Sequence, residues 1–186
     1  MCQPVLETQR LLLRALQPDD ACQIHFLANN PQISDMTAQI PYPYPRELAT
    51  SWISSQKDNW INRKGMVYGI TLKNNSLLTG VISLQKIDSA FPVLGYWLGI
   101  DFWGNGYSTE AAGCICDFSF NHLSVKKIFA CHLQKNPASG SVLKKLGFNF
   151  HGIEEKTMMG KMHGETLLNY ILTPDLLIKT PYKVIR

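Results

Sequence analysis

No run of 18 apolar residues occurs anywhere in the 186-residue chain, so no membrane-spanning helix is expected. The opening M-C-Q-P-V-L-E-T-Q-R has neither an apolar core segment nor an early basic cluster, and it does not read as a secretion signal. Charge is sparse at 17% and nearly balanced, with 18 Lys+Arg against 14 Asp+Glu leaving +4 at pH 7. The bases are scattered apart from short pairs such as Lys126-Lys127 and Lys144-Lys145, which argues against a nucleic-acid-binding stripe. Paired cysteines are lacking too. Cys2, Cys22, Cys114, Cys116 and Cys131 are odd in number and match no zinc spacing, so no metal site is expected. They read as buried thiols in a reducing, cytoplasmic setting. Repeats, low-complexity tracts and linkers are absent, and one domain over residues 1–186 is expected. A chain of this length buries roughly 70% of its unfolded surface and needs no covalent staple.

What is present is an ordinary globular composition, 45% hydrophobic, punctuated by clear element signals. Thr8 to Leu16 reads as a first strand. Pro18-Asp19-Asp20 opens a helix that runs to about Ala28. Ile40 to Pro45, I-P-Y-P-Y-P, excludes a helix interior or a central strand. It is either a packed connector or one wall of a substrate site. Arg46 to Arg63 reads as a helix with Leu48, Trp52, Ile53, Trp60 and Ile61 on its apolar face. A three-strand meander follows, at Val67–Leu72, Leu77–Ile87 and Val93–Ile100. Next come a helix from about Thr109 to Asn121, a strand at Lys127–Leu133 and a helix at Asn136–Leu146 stopped by Gly147. Phe148–Ile153 and Thr166–Thr173 make a final antiparallel pair. The order is βααβββαβαββ, an α/β (α+β) fold whose strand–helix–strand centre implies a parallel pair within a mostly antiparallel sheet. Ligands tend to bind at the C-terminal ends of such a pair.

Val93 to Gly113, V-L-G-Y-W-L-G-I-D-F-W-G-N-G-Y-S-T-E-A-A-G, organises the rest. An apolar strand enters a glycine turn and leaves as a helix. The first N–H groups of a helix have no partner within it and carry partial positive charge. Strand, glycine turn and helix start together form a phosphate cradle.

Three passages carry a resemblance: T-Q-R-L-L-L-R-A-L with Asp19-Asp20, W-G-N-G-Y-S-T-E-A from Trp103 to Ala111, and N-P-A-S-G-S-V-L-K-K-L-G-F from Asn136 to Phe148. In order and spacing the chain resembles the GNAT superfamily of acetyl-CoA-dependent N-acetyltransferases, and within it the RimJ/RimL-like branch that acetylates ribosomal-protein N-termini. The resemblance implies that Gly104, Asn105, Gly106, Tyr107, Ser108 and Thr109 hold the pyrophosphate of acetyl-CoA. It implies that the backbone of Tyr96, Trp97 and Leu98 runs beside the pantetheine arm, which Asn136 meets from the other side. It places Ser139 at the sulfur as the candidate acid, with Tyr96 as a possible proton relay. Trp103 and Ser108 depart from the family's Q/R-x-x-G-x-G/A. Lys144 stands where the branch usually has Glu. The carboxylates that relatives use as general base fall on Val93 and Cys131, and the tyrosine that some use as acid falls on Leu143. Glu110 suits a capping role, and His25, His122 and His132 cannot be placed from sequence, so the base stays unassigned.

The function implied is acetyl transfer to a primary amine by direct attack in a ternary complex, with no nucleic-acid or membrane partner, by a monomer or homodimer. The alternative is a catalytically weak acyl-CoA-binding regulatory module. A peptide N-terminus, an amino sugar or an antibiotic would suit the aromatic surface, and a polyamine less so because few acids are at hand.

Overall fold

The structure, a computed structural model, describes residues 2–185. Its elements in chain order are β1 (Val5–Glu7), β2 (Leu11–Arg14), α1 (Asp20–Ala28), α2 (Pro31–Asp35), α3 (Arg46–Ile61), β3 (Gly65–Leu72), β4 (Leu78–Gln85), β5 (Val93–Leu98), α4 (Tyr107–His122), β6 (Ile128–Leu133), α5 (Pro137–Lys145), β7 (Asn149–Glu154), β8 (Leu167–Leu172) and β9 (Lys183–Ile185). Short 3₁₀ turns stand at Ile100–Phe102 and Gly160–Met162. The strands form one sheet in the order β7-β8-β6-β5-β4-β3-β2-β1-β9. Every neighbouring pair is antiparallel except β5 and β6.

Helices cover both faces. Alternate residues of a strand point to opposite faces, so Leu13, Ile70, Ile82 and Leu94 pack with Ile115 and Phe118 of α4 and Leu143 of α5. Val67, Val81 and Trp97 pack on the other face against Ile24 of α1 and Ala49 and Ile53 of α3. Burial on both faces explains why β3 is an almost continuous apolar run, G-M-V-Y-G-I-T-L.

Three expectations are corrected. The first strand, expected over Thr8–Leu16, is two short strands joined by a tight turn, which closes with the Thr8 N–H donating to Leu11 O at 2.9 Å. Two further elements, α2 and β9, join the expected order. On α3, Leu48 and Ile61 are exposed at 37% and 54%, because the buried stripe runs through Ala49, Ile53 and Gln56. The Ile40–Pro45 loop is anchored through Tyr44, which is buried, its N–H bonding Asn29 Oδ1 at 3.0 Å and its carbonyl bonding His25 Nδ1 at 2.8 Å, while Tyr42 is 54% exposed.

Candidate active site

The parallel pair opens into a crevice. β5 and β6 are in register only at Val93 and Phe129, where the Phe129 N–H donates to Pro92 O at 2.8 Å. Each strand is fully committed elsewhere: β5 pairs with β4 from Val93 to Leu98, and β6 pairs with β8 from Ile128 to Leu133. Beyond Val93 their facing edges therefore part, leaving backbone groups without a strand partner. The Gly99 N–H donates to Thr79 O at 2.9 Å, toward β4. Backbone groups of successive strand residues point to opposite sides, so those of Tyr96 and Leu98 face the crevice and those of Trp97 face β4. The Trp97 side chain packs in the α1–α3 cluster, so of the three expected pantetheine neighbours two are brought to the crevice and the third is not. The Leu98 carbonyl already accepts the Trp103 indole N–H at 2.8 Å. That bond gives Trp103 a structural task where relatives carry Gln or Arg. Trp103→Phe is expected to lower stability by about 1 kcal/mol, the usual worth of one such bond, and urea denaturation would measure it.

The turn before α4 is built by two left-handed glycines, Gly104 at φ 76° and Gly106 at φ 78°. Nothing lies within 4 Å of where a Cβ on Gly104 would sit, so the turn presents its backbone openly. The N–H groups of Tyr107, Ser108 and Thr109 open α4 and have no carbonyl behind them within the helix. Asn105 braces the turn: its amide donates to Trp103 O at 3.0 Å and to Phe102 O at 3.3 Å.

Arg10, which sequence reasoning missed, reaches this turn from the far end of the sheet. Its Nη1 donates to Asn105 O at 2.9 Å, its Nε donates to Glu110 Oε2 at 2.7 Å, and its guanidinium lies 4.8 Å from the centre of the Tyr107 ring. Glu110 also accepts from the Arg10 N–H at 2.8 Å and from Thr8 Oγ1 at 2.6 Å. Burial alone would raise the Glu110 pKa, but the bonds from Thr8 and Arg10 outweigh it and hold the carboxyl below its ordinary value. Glu110 is thus a tie between the N-terminal turn and α4. Arg10, 46% exposed at its side chain, brings to the turn a positive charge that position 103 lacks. No local pattern marks a contact made across 95 residues of sequence.

Across the crevice, α5 starts at Asn136, whose side-chain oxygen accepts the Ser139 N–H at 3.2 Å. The Tyr96 and Ser139 hydroxyls are 2.9 Å apart, and the Tyr96 hydroxyl also donates to Ser139 O at 3.1 Å. Strand β5 and helix α5 are thereby bridged across the crevice. Burial pushes the Tyr96 phenol up to about 12, against the bond from Ser139, so it is neutral at pH 7. Gly140 lets the next turn of α5 approach His132: a Cβ there would stand 2.5 Å from His132 Nε2. His132 is buried, with Nδ1 bonded to Leu133 O at 2.8 Å.

On the opposite face of the sheet, at the apex of the crevice, lies a cavity of about 340 Å³. Val93 and Cys131, where relatives carry a carboxylate, both line it, beside Phe129, His151, Met159 and Asn169. Burial, then the charge of Glu154, pushes the Cys131 thiol up. The three histidines considered from sequence lie elsewhere. His25 bonds Tyr44, His132 supports α5, and His122 stacks on Phe118 at 4.9 Å. The loop carrying Met159 is clamped to the α2 segment by Lys161, whose amine bonds Ser34 O at 2.9 Å as well as Ser34 Oγ and Ile40 O, and whose N–H bonds Ala38 O at 3.2 Å. Desolvation lowers the Lys161 pKa.

Comparison with known proteins adds the family. The acetyltransferase (GNAT) domain matches residues 10–149. The Bacillus subtilis (strain 168) protein YoaA, named an uncharacterized N-acetyltransferase, is 26% identical over 157 residues, covering 83% of this chain and 88% of its own length. Among solved structures, Mycobacterium smegmatis RimJ in complex with CoA-disulfide aligns with a TM-score of 0.84 at 17% identity, covering 96% of this chain and 90% of that one. The microcin C7 self immunity acetyltransferase MccE, in complex with acetyl-CoA and AMP, aligns at 0.77 and 20% identity, covering 89% and 93%. These structural likenesses show a shared fold. With the family match spanning most of the sheet and both halves of the crevice, the chain belongs to the GNAT family and is an acetyl-CoA-dependent acetyltransferase.

Proposed function

We propose that the protein moves an acetyl group from acetyl-CoA to a primary amine, a peptide N-terminus or a small amine, by direct attack in a ternary complex. The observation that carries this reading is the crevice between β5 and β6. It has the phosphate turn and the Tyr96–Ser139 bridge on the α4–α5 side and a cavity at its apex on the other side. A coenzyme and an acceptor entering from opposite faces meet there without competing for space. The N–H groups from Gly104 to Thr109 suit the pyrophosphate, with Arg10 adding charge. The crevice-facing backbone of Tyr96 and Leu98 and the free amide nitrogen of Asn136 suit the pantetheine amides. A structural neighbour named RimL, ribosomal L7/L12 alpha-N-protein acetyltransferase, supports a peptide N-terminus as the acceptor class.

The roles of Ser139 and Tyr96 follow from acidity. A free thiol ionises near 8.5, well below the value of about 12 for Tyr96. Complete proton transfer from either hydroxyl to the departing thiolate is therefore uphill. Ser139 serves as the hydrogen-bond donor to charge developing on sulfur, with Tyr96 holding its hydroxyl in place.

The second reading, an acyl-CoA-binding module without turnover, draws support from the missing carboxylates at Val93 and Cys131. Thiol release from acetyl-CoA over a panel of peptides with different first residues, plus small amines, separates the two. The transfer reading expects release that depends on the amine. Tight acetyl-CoA binding with no amine-dependent release would favour the module.

A further inference from the structure

We infer that His151 is the catalytic base that takes the proton from the acceptor ammonium. The inference rests on the acetyl-transfer reading of the same site. In the pairing of β7 with β8, Phe150 faces Tyr170 and Gly152 faces Asn169, so His151 is an extra residue with no partner of its own. Such a bulge re-aims one side chain out of the strand's alternation, and bulges gather beside active sites. Here it puts His151 on the cavity face together with Gly152, where both line the cavity with Val93, Cys131 and Asn169. The imidazole is further placed by Phe129, whose ring it meets edge-on at 6.4 Å and 78°.

The surroundings leave few competitors. β5 offers Val93 and β8 offers Asn169, neither of which titrates. β6 offers Cys131, whose thiol is pushed up by burial and so is a poor proton carrier at neutral pH, with Lys127 ahead of it, 5.5 Å from the Phe129 ring. On its own strand, Glu154 carries charge near Cys131 and is tied to Thr157 Oγ1 at 2.5 Å. His151 therefore brings a proton-accepting imidazole nitrogen to the cavity wall together with an exposed route that returns the proton to water.

The step balances. The ammonium gives one proton to His151, directly or through one water. The freed amine forms the C–N bond at the thioester carbonyl, and the C–S bond breaks as the adduct collapses. The second nitrogen proton leaves with that collapse, so one proton ends on the CoA thiol and one, passed on by His151, ends in water.

The test compares the wild-type protein with His151→Gln and His151→Glu. It uses an amine that the wild type acetylates, with the pH profile of kcat/KM and the melting temperature as readouts. His151→Gln is expected to lower kcat about 100-fold with KM for acetyl-CoA and melting temperature unchanged, within the range of positioned acid–base groups. Its profile should lose the wild-type acidic limb and follow the free amine alone. His151→Glu should recover part of kcat with the limb moved to lower pH. Wild-type turnover with an unchanged rate and limb in His151→Gln would overturn the role of His151 and leave acetyl transfer standing. A loss of rate accompanied by a raised KM for acetyl-CoA would overturn it in favour of a structural role. A wild type that binds acetyl-CoA yet releases thiol with no amine overturns acetyl transfer, and the role of His151 with it.

Discussion

Ser139→Ala is expected to lower kcat by about 300-fold while leaving KM for acetyl-CoA nearly unchanged, the pattern of a donor whose bond strengthens only as charge develops. The geometry explains the separation. On the proposed reading, coenzyme affinity is distributed over the turn from Gly104 to Thr109, the crevice edge of β5 and Asn136, none of which depends on the Ser139 hydroxyl. The Ser139 N–H, which Asn136 caps, belongs to the backbone and survives the substitution. What disappears is the hydroxyl 2.9 Å from Tyr96, and with it the donor proposed for the sulfur. Tyr96→Phe should cost less, about tenfold, because it frees the Ser139 hydroxyl to rotate without removing it. The double variant should be little worse than Ser139→Ala, since Tyr96 acts through Ser139. Steady-state thiol release at saturating amine measures all three. Equal losses in kcat and acetyl-CoA affinity would instead mean that the pair holds the pantetheine.

The centre of this fold was legible because its signals are local. Gly104 and Gly106, Asn136 with Pro137, and Gly147 each mark an element boundary within a few residues. The helix start they imply is where α4 and α5 begin. Within Tyr96 to Leu98 the division of labour comes from strand alternation: Tyr96 and Leu98 turn their backbone groups to the crevice and Trp97 turns its own to β4. The split between β1 and β2 was hidden because the turn from Thr8 to Arg10 is held by a carboxylate on α4. β9 was hidden because its three residues are exposed and make no alternating pattern, finding their partner only in β1. His151 was hidden for a related reason. In G-F-N-F-H-G-I-E it reads as one more strand residue, and only the register against β8 shows that it is the extra one.

Glu110→Ala is expected to destabilise the protein by about 2–3 kcal/mol and to raise KM for acetyl-CoA several-fold. The stability loss comes from removing the carboxylate that the Thr8 hydroxyl and the Arg10 N–H share, at ~1 kcal/mol or more for each bond to it. Thr8 is buried at 5% exposure, and its hydroxyl and the Arg10 N–H both donate to Glu110 Oε1. The half-exposed Arg10 guanidinium adds little, because water replaces its carboxylate. It matters to the coenzyme instead: freed from Glu110 Oε2, it no longer holds Asn105 O and the phosphate turn in place. The pH dependence distinguishes this tie from a purely steric role. Because the folded pKa of Glu110 lies below its ordinary 4.5, the carboxylate stabilises the fold fully above that value and loses its contribution as pH falls through the lower, folded value. Asp20 is also held low: burial alone would raise it, but the bonds from Arg14 and the Gln17 N–H prevail. Asp20 is the same in wild type and variant, so its acid sensitivity cancels in the difference. The gap in unfolding free energy between wild type and Glu110→Ala, from urea titrations at stepped pH, should therefore be constant near neutrality and narrow only below about pH 4.5. A gap that stays constant into acid would mean that Glu110 acts by its volume and not by its charge.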